Sequence, residues 1–192
     1  MSNFVFDIDW GELSAIANEI EASEKQIVFS LNRAMRRTAT TLRRMSARGL
    51  VSELNLRSAR ELKKRLKLSL RSGMNSTGRR RSGSDVTIWY GLNDMPVSSF
   101  KGTARQNKTG AEFRGDQFDG AFVAKSKIKG KRTIFKRKGK ERLPITEQTI
   151  QVADKAMDFI YDEVFVDKML DIFWDNFKRD LNARVKFQIG ER

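Results

Sequence analysis

The stretch Gly120–Ile145, GAFVAKSKIKGKRTIFKRKGKERLPI, decides how this chain is read. Ala121, Phe122 and Val123 form a short apolar strand, Lys129-Gly130-Lys131 supplies a turn, and Thr133, Ile134 and Phe135 form the return strand. A basic run, Lys136 to Lys140, follows, and the stretch closes on Leu143-Pro144-Ile145. The pattern is a β-hairpin with a strongly positive end, and no catalytic motif accompanies it.

Upstream, Leu66, Leu68 and Leu70 alternate with polar residues, as do Val86, Ile88 and Tyr90, which is the period of half-buried strands. These runs read as hairpin partners. Between them, residues 72–84 are Gly/Ser-rich and carry Arg79, Arg80 and Arg81, a basic loop expected to stay mobile unless a partner orders it. Leu92 to Phe118 is polar and turn-rich and reads as a long functional loop.

Helical spacing flanks this region. Trp10, Leu13, Ile16, Ala17 and Ile20 predict a short amphipathic helix with Asp9 as its N-cap. A second helix follows Ser23, with Ile27, Leu31, Ala34, Met35, Thr38, Leu42 and Met45 on one face, six arginines between Arg33 and Arg48 largely elsewhere, and Gly49 as its stop. Leu54 to Arg65 reads as a shorter helical piece. Pro144 excludes a helix interior, so the last helix is expected to start near Thr146 or Glu147 and run long, with Met157, Ile160, Val164, Phe165, Leu170, Phe173, Trp174, Phe177 and Leu181 as one apolar stripe. The expected fold is α+β. A small antiparallel sheet of about four strands, from the Leu66, Val86, Val123 and Ile134 runs, packs against two long helices, Ile27–Met45 and Met157–Leu181, with long basic loops projecting. Residues 1–192 read as one domain: a helical arm to residue 22, a core over 23–145 and the C-terminal helix from 146.

Composition narrows the function. A chain of 192 residues with 39% hydrophobic residues and 13 phenylalanines can build a core, while a net charge of +14 calls for a polyanionic neighbour, nucleic acid or an acidic protein. With no cysteine there is no disulfide or thiolate metal site, and with no histidine the commonest metal ligand and general base are missing. The N-terminus MSNFVFDIDWGEL lacks the pattern of a signal peptide, so a cytoplasmic start is expected, and no apolar run reaches membrane-spanning length. The remaining carboxylates sit at spacings that solvation of helices explains. Asp116 and Asp119 flank an aromatic in a turn, where pairs of aspartates are common without a metal. Neither a phosphate-cradling loop nor a dinucleotide fingerprint is present, so the chain reads as a non-enzyme with no cofactor and no metal.

Two charge patterns remain open in the sequence. The arginine-rich helix is either a solvated face or a contact for DNA or an acidic partner. Asp154, Asp158, Asp162, Asp167, Asp171, Asp175 and Asp180 load the last helix with negative charge, which either packs on the basic sheet of the same chain or attracts the basic face of another copy in a head-to-tail ring. Basic and aromatic residues interleave at Phe135 beside Lys136, Arg137 and Lys138, and at Trp89-Tyr90 after the Arg79–Arg81 loop, as single-strand nucleic-acid binders require. Their spread over several elements fits phosphate contact better than base readout.

The Gly120–Ile145 block resembles the phage minor tail protein Z family, the tail-completion (neck) proteins of long-tailed phages, which carry a similar Gly-Ala-Phe strand, basic hairpin and Leu-Pro-Ile. Its family-motif residues here are Gly120, Ala121, Phe122, Leu143, Pro144 and Ile145. Leu31-Asn32-Arg33-Ala34 looks like the family's Asn-Arg-Ala helix start, Arg60 to Leu70 is similar to the basic lead into its first strand, and Met95-Pro96-Val97 falls at its short proline-bearing segment. The acidic, aromatic-rich C-terminal helix departs from the family pattern. The resemblance implies a structural virion protein that caps the head-proximal end of the tail and enables head–tail joining, assembled in the host cytoplasm without membrane contact. It implies a homo-oligomeric ring, expected to hold six copies, that meets a tail terminator or tail-tube protein, head–neck connectors and the DNA in the lumen. The residues expected to face DNA or a partner are Arg79, Arg80, Arg81, Lys125, Lys127, Lys129, Lys131, Arg132, Lys136, Arg137, Lys138, Lys140 and Arg142. The alternative is a sequence-nonspecific nucleic-acid-binding protein.

Overall fold

A computed structural model describes residues 10–70, 86–126 and 130–190, with the side chains of Trp10 and Leu70 excepted. It is a mixed helix-and-sheet protein with small antiparallel sheets. In chain order the elements are α1 (Trp10–Glu19), α2 (Glu24–Glu53), β1 (Leu66–Leu70), β2 (Val86–Tyr90), β3 (Met95–Pro96), β4 (Arg105–Gln106), β5 (Gly110–Phe113), β6 (Asp116–Asp119), β7 (Ala121–Lys125), β8 (Arg132–Arg137), β9 (Ile145–Glu147), β10 (Thr149–Ile150), α3 (Ala153–Phe159) and α4 (Met169–Lys186). The chain divides into two compact units. The first holds residues 1–42, 68–88 and 165–192, and the second holds 43–67 and 89–164.

In the first unit, α2 opens on a capping box: the Ser23 amide donates to Gln26 Oε1 at 3.0 Å, and the Gln26 amide donates to Ser23 Oγ at 3.4 Å. Leu13 and Ala17 of α1, Ala34 of α2, and Phe173, Phe177 and Leu181 of α4 form the core. Phe173 and Phe177 stack with centroids 6.2 Å apart, and Trp174 meets each edge-on. The buried row of α2 differs from the expected one. At four-residue spacing, Gln26, Ser30, Ala34 and Thr38 are buried, while Ile27, Leu31 and Met35 are half-buried at the border. Small side chains allow the α4 aromatics to approach the helix closely, and the polar ones need partners. Gln26 Nε2 donates to the Arg184 carbonyl at 3.3 Å, and Thr38 Oγ1 accepts from Asn176 Nδ2 at 3.2 Å. Asp180 is buried between Arg33 (3.2 Å) and Arg184 (2.8 Å).

The second unit carries most of the sheet. α2 runs past Gly49, the expected stop, and ends at Asn55. Gly49 is there for packing, since a Cβ would stand 2.0 Å from the Phe159 ring. The stop is an αL cap: Asn55 has φ +55°, its amide donates to Ser52 O at 3.0 Å, and the Leu56 amide donates to Val51 O at 2.9 Å. Arg114 adds to the cap by donating to the Leu54 and Asn55 carbonyls (3.4 and 3.0 Å), with its guanidinium over Phe100 and Phe113. Burial, and after it the neighbouring Arg57, lowers the Arg114 pKa. Instead of a helix over 54–65 there is one turn, Ala59–Leu62.

Residues 92–118, expected as an open loop, are built into two sheets. β3 pairs with β10, and β4, β5 and β6 form a meander in which Arg114 and Gly115, at φ +56° and +92°, make the tight turn between β5 and β6. The four expected strands do not share one sheet: β1 pairs with β2, while β7, β8 and β9 make a separate antiparallel sheet. Residues 145–150, expected to open the last helix, are strands β9 and β10, because β9 completes the hydrogen bonding of the β8 edge. The last helix is interrupted as well. α3 passes into a π-type turn, Ile160–Val166, and α4 restarts at Met169, so the single apolar stripe divides into Met157-Ile160-Val164 in the second unit and Phe173-Trp174-Phe177-Leu181 in the first.

Two outcomes are expected. Ser30 Oγ is buried with no hydrogen-bond partner among the described residues, so Ser30→Ala raises unfolding stability by about 1 kcal/mol in denaturant titration. Tyr90 donates to or accepts from Ser46 at 2.9 Å, and burial, partly offset by that bond, raises its pKa above 10.0. The folded state therefore keeps this proton longer than the unfolded one. Its stabilising contribution is full below pH 10 and is lost as pH rises through the folded-state value. Tyr90→Phe removes that part of the alkaline fall when urea unfolding is compared at about pH 9 and about pH 11.

Candidate functional site

The two expected strand runs pair as the β7–β8 hairpin, with Ala121 opposite Lys136, Phe122 opposite Phe135, Val123 opposite Ile134, Ala124 opposite Thr133 and Lys125 opposite Arg132. The turn closes through Ser126, whose amide donates to Lys131 O at 2.8 Å and whose carbonyl accepts the Gly130 amide at 2.9 Å. Gly130 has φ +64°, the left-handed conformation that favours glycine. Strand alternation puts Ala121, Val123 and Ile134 on one face and Phe122, Ala124, Thr133 and Phe135 on the other. Ile134 and Thr133 are fully buried, so β8 is anchored on both sides.

Three side chains hold the hairpin along its length. Glu147 Oε1 accepts from Thr133 Oγ1 at 2.7 Å and from the Ser98 amide at 3.0 Å. Gln106 serves the outer edge of β7: its Oε1 accepts the Val123 amide at 2.8 Å, and its Nε2 donates to the Gly110 and Ala121 carbonyls. A side-chain amide thus stands in for the missing neighbouring strand. Glu61 receives Ser99 Oγ at 2.9 Å and pairs with Lys131 at 3.7 Å.

Elsewhere on the hairpin and its return loop the charge is uncompensated. Lys125, Arg132, Lys136, Arg137, Lys138, Lys140 and Arg142 are exposed, and among the described residues no carboxylate lies within ion-pair distance of them. Arg137 lies over the Phe122 ring at 5.2 Å from its centroid. Lys125 and Arg132 face each other directly, a like-charge pair that destabilises a sheet. Residues 138–144 form an exposed return loop to β9, closed by the Lys138 amide on Pro144 O at 3.1 Å. Leu143, Pro144 and Ile145 are exposed, so this motif is an apolar lip beside the charges instead of core.

The hairpin and its return loop bring together eight of the expected facing residues, Lys125, Lys131, Arg132, Lys136, Arg137, Lys138, Lys140 and Arg142. Arg79, Arg80, Arg81, Lys127 and Lys129 lie outside the described residues. Asn32, Arg33 and Ala34 lie in the first unit, where Ala34 is core, Asn32 is half-buried and Arg33 is engaged by Asp180. Gly120 takes φ +67° at the entry to β7, and its amide donates to Thr109 O at 2.9 Å.

Trp89 and Tyr90, read together in the sequence, separate. Tyr90 points inward to Ser46, whereas Trp89 is 45% exposed with the Lys67 ammonium 5.0 Å from its ring centroid. Alternation along β2 carried that signal. Lys67, Gln106 and Glu147 were not singled out by the sequence, and for the last two no local pattern marks the contact. Asp116 and Asp119 do not converge. They stand three residues apart in β6 and so point to opposite faces, and Asp119 accepts from Gln117 Nε2 at 3.1 Å.

No family model matches the chain, and no curated protein or solved structure matches it either.

Reversing one charge at the hairpin tip tests whether the like-charge pair is retained for something other than folding. Lys125→Glu places opposite charges at the Lys125–Arg132 position and is expected to raise stability by roughly 0.2–1 kcal/mol. Thermal or urea unfolding of the variant checks it.

Proposed function

We propose that this chain is a structural virion protein, a tail-completion or neck protein that caps the head-proximal end of a phage tail and enables head–tail joining. The observation that carries the reading is the basic hairpin with its return loop: a strand pair anchored along its length, presenting exposed lysines and arginines without acidic partners next to an apolar Leu143-Pro144-Ile145 lip. The same block carries the resemblance to the tail-completion family. In this reading the charges line or flank the lumen through which DNA passes and meet its phosphates without reading sequence. The lip and neighbouring exposed residues contact the tail terminator or tail-tube protein and the head–neck connectors. The working form is a ring, expected to hold six copies, assembled in the host cytoplasm and retained in the virion, and its role is non-enzymatic.

A second reading, a sequence-nonspecific nucleic-acid-binding protein, is favoured by the exposed Trp89 with Lys67 over its ring, a pairing suited to base stacking. Quantitative mass spectrometry of nuclease-treated particles separates the two. A low, fixed copy number relative to the tail-tube protein, consistent with one ring, is the expected result. Absence from particles with recovery on intracellular nucleic acid overturns the virion role.

A further inference from the structure

The two ends of α4 carry exposed apolar side chains set among charges of opposite sign. At the C-terminal end, Phe187 and Ile189 are exposed beside Phe29 and Val28 of α2, each at least half exposed. The grouping is built and not frayed. Ile189 donates its amide to Arg184 O at 2.9 Å, the Arg184 guanidinium lies 5.4 Å from the Phe29 ring centroid, and Gly190, at φ +86°, is placed so that a Cβ there would stand 3.5 Å from that ring. The charges around this surface are mainly positive: Lys25 stands four residues before Phe29 and Lys186 lies 5.6 Å from the Phe187 centroid, while Arg33, four residues after Phe29, is paired with Asp180. Glu24, in the first turn of α2, is the exception.

At the N-terminal end of α4, Val166 and Leu170 are 58% and 49% exposed. Asp167 and Asp171 follow each of them directly and are exposed, with Lys168 as the one opposite charge between them. Acids at a helix N-terminus and bases at its C-terminus suit the helix dipole, so charge alone explains nothing more than a stable helix. The dipole gives no reason to leave Phe29, Phe187, Ile189, Val166 and Leu170 in water. At 18 residues, α4 separates its two ends by about 27 Å.

We infer that these ends are the two halves of one heterologous contact, the basic-rimmed apolar surface of one copy receiving the acid-rimmed apolar surface of the next. The occupant is a second copy of this chain, because unit and complement lie on the same molecule with matched character: apolar centre to apolar centre, positive rim to negative rim. Surfaces so placed join copies head to tail and close only if the rotation between copies allows it. This deepens the ring in the proposed function and rests on that part of it, but not on the identity of the particle.

Sedimentation analysis of the full chain and two surface variants tests the contact. One variant carries Lys186→Glu, Phe187→Ser and Ile189→Ser; the other carries Val166→Ser, Leu170→Ser and Asp171→Lys. All six side chains are exposed, and unchanged melting temperatures establish that folding is retained. The parent is expected to self-associate, and either variant to shift that association at least ten-fold toward higher concentration. Mixing the two variants leaves one intact surface on each, so 1:1 dimers that grow no further are expected. A parent that stays monomeric at every soluble concentration, variants that associate like the parent, or a mixture that remains monomeric would overturn the inference. A monomeric parent that is nonetheless found in particles removes this contact and spares the virion role. Head-to-tail association with absence from particles does the reverse.

Discussion

A single carboxylate oxygen fixes the basic hairpin to its surroundings. Glu147 Oε1 receives the Thr133 hydroxyl and the Ser98 amide, tying β8, β9 and the turn after β3 together at one point. A charge-assisted acceptor with two donors holds its geometry more firmly than neutral pairs do. With Gln106 occupying the other edge and Ile134 and Thr133 buried, the strands have little freedom to shift register. The exposed charges of the hairpin are presented from strands fixed at several points along their length. A hairpin with Lys125 set against Arg132, standing alone, would be marginal.

The first unit handles charge in the opposite way. Asp180 is buried and meets two guanidiniums, Arg33 and Arg184, so both signs are paired inside the helix cluster. Removing Asp180 would leave the largely buried Arg184 guanidinium without its carboxylate, a far larger cost than losing an exposed ion pair. The contrast between paired interior charge and the unpaired charge of the hairpin and its return loop is the physical basis for proposing the hairpin, and not the helices' arginine content in general, as the contact for a polyanion. The exposed α2 arginines Arg36, Arg37, Arg43, Arg44 and Arg48 remain equally compatible with a solvated face.

The hairpin was legible in the sequence because its strands are five and six residues long, enough for alternation and turn chemistry to speak together. The meander of residues 105–119 was not, since strands of two to four residues carry no readable period and depend on Asn107, Gln106 and Gly110 for closure. Gly49 misled as a helix stop because a glycine admitting the Phe159 ring looks the same in sequence as one ending a helix. Asn55, which ends it, carries no comparable mark. The break between α3 and α4 escaped for a related reason: a π-type turn keeps apolar residues in near-helical spacing while shifting their faces. Apart from the bond of Gln106 to Gly110 four residues on, the anchors of the site, Glu147 and Gln106, meet partners 14 to 49 residues away, a relation visible in the folded chain and not in any local window.

The central claim is that this surface meets phosphates by charge and without reading bases. The most direct measurement is the equilibrium binding of the unaltered chain to two unrelated DNA duplexes across a range of salt concentrations. The account predicts affinities that fall steeply and linearly on a log–log plot, with the same slope and nearly the same strength for both sequences. Binding that ignores salt, or that prefers one duplex strongly over the other, would contradict it.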